Sequence, residues 1–161
     1  MNGEVIIMYG VTLKVSSVLG SCKYIINSLY TKELKLGKVA VGTNLKFDRR
    51  KTVGLEKVLF HFLDVEKNKY VFVISDVVGY KFSDEKVTPN EYRDYICDFE
   101  KLEPKRSWFL IKNMSVCSDE LVKSFITSEG VPIIDIINTN PKVNKIFFNG
   151  SISSDDLAIL V

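Results

Sequence analysis

Apolar and polar residues follow a strand and helix pattern most regularly over residues 107–150. Apolar runs at 108–114, 131–137 and 143–148 predict three strands. Between the first two, helical spacing predicts a helix over 118–129, with Ser118 as its N-cap and Gly130 just after its end. The apolar face of this helix is formed by Leu121, Val122, Phe125 and Ile126. We therefore expect a strand, helix, strand, strand unit.

The N-terminal half predicts further elements of both kinds. Residues 4–15 predict a strand pair or one kinked strand, followed by a helix that is capped by Ser16 or Ser17 and ends between residues 30 and 34. Residues 38–47 predict a strand with a bulge or break at Gly42. Apolar residues at 55–63 repeat at helical spacing and predict a second helix, with His61 off its apolar face and partly exposed.

Later segments complete a single domain. Two strands are predicted at 69–75 and 77–82, and the apolar tail at 157–161 is expected to pack against the domain. Thr88, Pro89 and Glu91 are typical of a capped helix start, with apolar and aromatic residues following at helical spacing. We predict one α/β (or α+β) domain over residues 1–161, with a mixed sheet of roughly five to seven strands and about four helices.

Composition narrows the class of protein. A chain of 161 residues, 46% of them apolar, can bury a core without disulfides or metals. Cys22, Cys97 and Cys117 are odd in number and widely spaced, and His61 is the only histidine, so neither a disulfide framework nor a zinc site is indicated. No glycine cluster forms a phosphate loop, and no apolar run is long enough to span a membrane. We expect no cofactor, no metal, no membrane partner, and a reducing, cytoplasmic location.

Charge is unevenly distributed, although the net charge is only +2. Residues 32–51 carry seven basic and two acidic side chains, whereas 61–100 carry nine acidic and five basic ones. We expect residues 48–51 to form an exposed loop that leads into a helix near Thr52, whose N-terminus would favour an anion. The candidate binding residues are Lys35, Lys38, Lys46, Arg49, Arg50 and Lys51.

The strand, helix and strand predicted over 109–137 are similar to the first half of an RNA-recognition motif. Residues 145–148 fall where that family has its second aromatic motif, whose rings stack on bases. Leu110 stands where the first motif has an aromatic residue, and the glycine-rich start of the second is missing. We therefore assign the chain to no family.

Three hypotheses for function follow. The principal one is a small non-catalytic protein that acts through a protein partner, because no catalytic, nucleotide or metal motif is recognisable. A composition rich in Ile, Asn and Lys is typical of AT-rich genomes and favours a viral or mobile-element origin. The first alternative is nucleic-acid binding through the 46–51 loop and the neighbouring lysines. The second is an enzyme with an unrecognised carboxylate and lysine site. The sequence does not indicate an oligomeric state.

Overall fold

A computed structural model describes residues 5–15, 21–100, 102–153 and 157–159. In these ranges seven strands form one mixed sheet: β1 Val5–Val15, β2 Val39–Thr43, β3 Lys57–Asp64, β4 Lys69–Val87, β5 Lys105–Cys117, β6 Lys145–Ser153 and β7 Leu157–Ile159. The same ranges contain three α-helices: α1 Cys22–Leu36, α2 Asp119–Val122 and α3 Ile133–Thr139. Two short 3-10 helices lie at Asn90–Tyr95 and Asp98–Glu100. None of the helices described is long and apolar enough to cross a membrane.

The strands lie in the order β2-β5-β4-β3-β1-β6, and β7 pairs with the C-terminal end of β5. β1 and β3 are parallel, whereas the other neighbouring strands are antiparallel. Because α1 carries the chain from β1 to the distant edge strand β2, it crosses one face of the sheet. This crossing places β2 at the edge of the sheet, beside β5.

Both faces of the sheet are covered. Under α1, the buried side chains of Ile25 and Leu29 pack on sheet residues such as Val11 and Phe60. On the opposite face, α2 and α3 cover a second cluster, in which Phe125 stacks on Phe148 with ring centroids 5.0 Å apart. The arrangement is therefore helix, sheet and helix in three layers.

Residues 90–100 wrap around the β2 edge of the sheet. Ile96 forms a parallel bridge with Ala40 on β2 and packs with Trp108, on the face opposite α1. Cys97 then joins the cluster under α1. The exposed backbone of an edge strand is thereby partly covered.

The predicted fold class is confirmed, because a mixed sheet packed with helices is what the structure contains. Residues 5–15 form one strand, and the helix that follows has Ser21 as its N-cap, whose hydroxyl oxygen accepts the Tyr24 N–H at 3.1 Å. The predicted caps Ser16 and Ser17 lie outside the described residues. The two strands predicted at 69–82 are one long strand with register shifts, and the tail pairs with β5 over residues 157–159.

The helix predicted at 55–63 is wrong, because residues 57–64 form strand β3. His61, predicted to be partly exposed, is 1% exposed. β3 lies between β1 and β4 and is buried on both faces, so its apolar residues run almost continuously instead of alternating. A short apolar run of this kind can imitate helical spacing. The 48–51 loop consequently leads into a turn and a strand, and the predicted helix N-terminus does not exist.

The unit predicted at 118–137 also differs. α2 ends at Val122, and Ile126 instead exchanges backbone hydrogen bonds with Asn149 at 3.0 and 2.7 Å. The strand predicted at 131–137 is helix α3, with Pro132 as its N-cap and with Ile133 and Ile137 buried one turn apart. A strand, helix, strand order is thus absent here, and β5 and β6 are separated by three other strands. The similarity to an RNA-recognition motif does not extend to the fold.

Two smaller predictions need correction. The strand predicted over 38–47 stops at Thr43. The helix predicted after Thr88 is a 3-10 helix whose N-cap is Pro89, and the Thr88 hydroxyl donates to the Leu102 carbonyl at 3.0 Å instead of capping it.

Candidate functional site

A tight turn between β2 and β3 carries the densest group of basic residues. Phe47 and Leu55 are each 8% exposed and anchor the turn at its two ends. Between them, the Thr52 hydroxyl donates to the Arg49 carbonyl at 2.9 Å, and Gly54 adopts a φ of +77°. The backbone is therefore fixed while the cationic side chains remain exposed. We call residues 46–51 the basic turn.

Asp48 forms hydrogen bonds within the basic turn. Its carboxylate accepts the Arg50 backbone N–H at 2.9 Å and faces the Arg50 guanidinium at 3.3 Å. These bonds lower the pKa of Asp48, with the side-chain hydrogen bond from Arg50 as the largest cause. Asp48 offsets one of the four cations, so the turn keeps a net positive charge.

The basic turn rests on aromatic side chains. Phe47 stacks on Phe82 at 5.1 Å and 15°, and Phe82 stacks on Tyr80 at 4.7 Å and 16°. Tyr80, at the outer end of this three-ring stack, is 43% exposed. Arg49 lies beside the stack, with its guanidinium 3.5 Å from the Phe82 carbonyl. An exposed ring and a cation thus occupy neighbouring positions.

A second aromatic pair supports the other side of the turn. Tyr9 stacks on Phe147 at 5.9 Å, and the Tyr9 hydroxyl donates to the Lys51 carbonyl at 2.6 Å. The Lys51 ammonium lies 5.9 Å from the centroid of the Phe147 ring, within the range of a cation–π contact.

Lys145 on β6 adds a fifth cation. Its ammonium lies 4.8 Å from the centroid of the Phe47 ring and donates to the Lys46 carbonyl. Its pKa is lowered, chiefly by burial and also by the charge of Lys51. The local field is therefore positive, and an anion placed here would relieve the repulsion.

The six predicted binding residues fall into two groups. Lys46, Arg49, Arg50 and Lys51 lie together on the basic turn, whereas Lys35 is in the last turn of α1 and Lys38 precedes β2, over the Tyr95 ring at 5.1 Å. The five residues of β2 lie between the groups and separate them by about 16 Å or more. Lys145, Tyr80 and Tyr9 were not predicted, because strand order, which the sequence does not display, brings them to the turn.

His61, Cys97 and Cys117 are buried within the fold. The Thr12 hydroxyl lies 2.7 Å from His61 Nδ1, and the ring also bonds the Val143 carbonyl. Burial, followed by the charge of Lys14, lowers the pKa of His61 to about 4, so the ring is neutral. Burial raises the pKa of Cys97 and of Cys117 to about 12, which leaves these thiols protonated and poorly nucleophilic.

One carboxylate and lysine pair lies within the sheet. Asp76 on β4 forms an ion pair with Lys57 on β3 and also accepts a hydrogen bond from Asn113 at 2.7 Å. Both carboxylate oxygens are therefore occupied at an irregular point of the β4 ladder. This geometry is that of a pair holding three strands together.

No set of three His, Cys, Asp or Glu side chains that could hold a metal ion occurs in the ranges described. Comparison with protein-family models, curated proteins and solved structures found no match to the chain.

Proposed function

We propose that the chain is a non-catalytic binding protein that holds single-stranded nucleic acid on the basic turn. The observation that carries the proposal is the position of Arg49, one of the exposed turn cations, beside a three-ring stack whose outer end, Tyr80, is exposed. Proteins that bind single strands without sequence preference combine a cationic backbone track with rings on which bases stack. The location in a reducing compartment, predicted from the cysteines, belongs to the same proposal.

The cations supply the sequence-independent part of this binding. All four cations of the basic turn are exposed. Lys145, on the neighbouring strand β6, adds to their positive field. Each phosphate contact on a single strand lowers log K by about 0.7 per decade of salt concentration. Three or four contacts on this turn would thus produce a slope of about −2 to −3.

Tyr80 supplies the stacking contact, which a nucleic-acid base can make and a simple anion cannot. Its ring is held by Phe82, which is itself held by Phe47, so little ordering is needed when a base stacks on it. Stacking on an aromatic side chain contributes about 1–3 kcal/mol per base. Replacing Tyr80 by Ser should therefore weaken binding about fivefold or more, without changing the salt slope.

Fluorescence anisotropy with a labelled oligothymidylate of about 12 nucleotides tests the proposal. We expect binding at low salt that Arg49→Glu/Lys51→Glu abolishes and that Tyr80→Ser weakens. The matched control is Lys35→Glu/Lys38→Glu, which makes the same charge change at the other end of β2 and should have a much smaller effect. Absence of binding at low salt, or equal losses from both double variants, would contradict the proposal.

A protein partner, the principal hypothesis from the sequence, keeps one supporting observation. Ile7 is 83% and Val53 is 76% exposed; Ile7 lies two residues from Tyr9 on β1, and Val53 two residues from Lys51. An acidic partner with apolar residues would match a surface of this kind. A labelled peptide of alternating glutamate and leucine distinguishes the two proposals. Tight peptide binding that Ile7→Ser/Val53→Ser removes, with no oligonucleotide binding, would favour the protein partner.

A further inference from the structure

A small cavity lies under the N-terminal part of α1, at the edge of the sheet formed by β2. Its volume is about 170 Å³, and its walls are mostly apolar, with Leu13, Ile25, Leu29 and Phe60 among them. An engineered apolar cavity of about 150 Å³ is large enough to bind benzene. The space therefore suits a ligand with a body of about that size.

One charged side chain in the cavity wall has an unused hydrogen-bonding atom. Glu100 is 5% exposed, and its Oε1 accepts the backbone N–H of Gly42 at 3.2 Å. Its Oε2 is buried, and no donor among the described residues bonds it. A buried carboxylate oxygen without a donor is costly, so this atom marks where a donor from a ligand would be stabilised.

The other charged residues in the cavity wall are directed elsewhere. The Lys14 ammonium donates to the Pro141 carbonyl. The Lys105 ammonium lies 3.7 Å from the Glu103 carboxylate. Among the described residues, Glu100 is consequently the charged group of the wall that keeps an oxygen for a ligand, although the charge of Lys105 also acts on it.

We propose that this cavity binds a small primary amine with an apolar body, whose ammonium group bonds Glu100 Oε2. An ammonium supplies the missing donor together with a positive charge. Phe60 and Phe99 also line the cavity, and aromatic rings favour a cation over an anion. The inference is independent of the basic turn, because it uses none of the turn cations.

The charged state of Glu100 couples amine binding to pH. Burial raises the pKa of Glu100 to about 7, while the Gly42 N–H and the charge of Lys105 act in the opposite direction. Among the described residues, Lys14 also lines the cavity and the Cys97 thiol lies in the field of Glu100, and the pKa of Cys97 is far above neutrality. Amine binding should therefore weaken about tenfold when the pH falls from about 8 to about 6, because the carboxyl group becomes protonated.

Benzylamine is a suitable probe, and benzyl alcohol is its neutral match in size. With 15N-labelled protein at about pH 8, we expect benzylamine to shift the Gly42 amide resonance and to bind at least tenfold more tightly than benzyl alcohol. Glu100→Gln should remove that preference, since the amide oxygen is uncharged. Asp98→Asn, a change at an exposed carboxylate on the same 3-10 helix and outside the cavity wall, should preserve it.

Benzylamine that binds no more tightly than benzyl alcohol, or equally well to Glu100→Gln, would overturn the proposal. If Glu100→Gln does not fold, the pH dependence in the natural chain decides the question. The ammonium of an alkyl amine stays charged between about pH 6 and 8, so a constant benzylamine affinity over that range would refute a role for Glu100.

Discussion

Removal of the Glu100 charge should stabilise the protein, and the gain should depend on pH. The folded-state pKa of Glu100 is about 7, compared with an ordinary value of 4.5. Between these values the folded protein binds more protons than the unfolded chain, so this group lowers the free energy of unfolding as the pH rises. The difference between the two pKa values corresponds to about 3 kcal/mol at pH values above about 7.

His61 has the opposite effect over nearly the same range. Its folded-state pKa of about 4 lies below the ordinary value of 6.5, so its contribution to stability is lost as the pH falls from 6.5 toward 4. The two effects offset each other in the natural chain, and its stability alone would be a poor test. The difference between Glu100→Gln and the natural chain isolates Glu100.

Urea unfolding of both proteins at several pH values between about 4.5 and 8 measures this difference. We expect the advantage of Glu100→Gln to grow by about 3 kcal/mol over that range and to level off above about pH 7. In the variant alone, stability should rise with pH through the range of His61. A constant difference between the two proteins would mean that Glu100 titrates normally and is not desolvated.

Three other substitutions test the packing. Phe125→Ala should destabilise the fold by about 3–5 kcal/mol in a denaturant melt, because the ring is fully buried in the cluster under α2 and α3. A loss below about 1 kcal/mol would contradict that burial. Gly42→Ala should cost about 1–3 kcal/mol, since the added Cβ would lie 2.9 Å from the Trp108 ring, and an unchanged melting temperature would show that β2 can shift. Thr12→Val should cost about 1–3 kcal/mol by leaving the buried His61 Nδ1 without a donor, whereas a neutral effect would assign that nitrogen another partner.

The fold class was predictable because local patterns depend on burial. Helix α1 has one buried face, and helical spacing in the sequence indicates it. Strand β3 was not predictable in this way, since both of its faces are buried and its apolar run satisfies either pattern. In α3, Pro132 fixes a helix start inside an isoleucine-rich run that local preference assigns to a strand.

The candidate site was predictable only where its residues are consecutive. The cations of the basic turn adjoin one another in the chain, and a charged run of this kind indicates an exposed loop. Tyr80 and Lys145 reach the same place through the order of strands in the sheet. Glu100 faces Gly42 across 58 positions because the chain wraps around the β2 edge, and no local pattern records that contact.

If the basic turn holds a phosphate backbone, the affinity for oligothymidylate must fall as the salt concentration rises. We predict a slope of log K against log salt of about −2 to −3 for the natural chain. Lys51→Glu alone should reduce its magnitude by about 0.7 or more, while Lys38→Glu should leave it unchanged. A slope near zero, or one that Lys38→Glu alters as much as Lys51→Glu, would contradict the account.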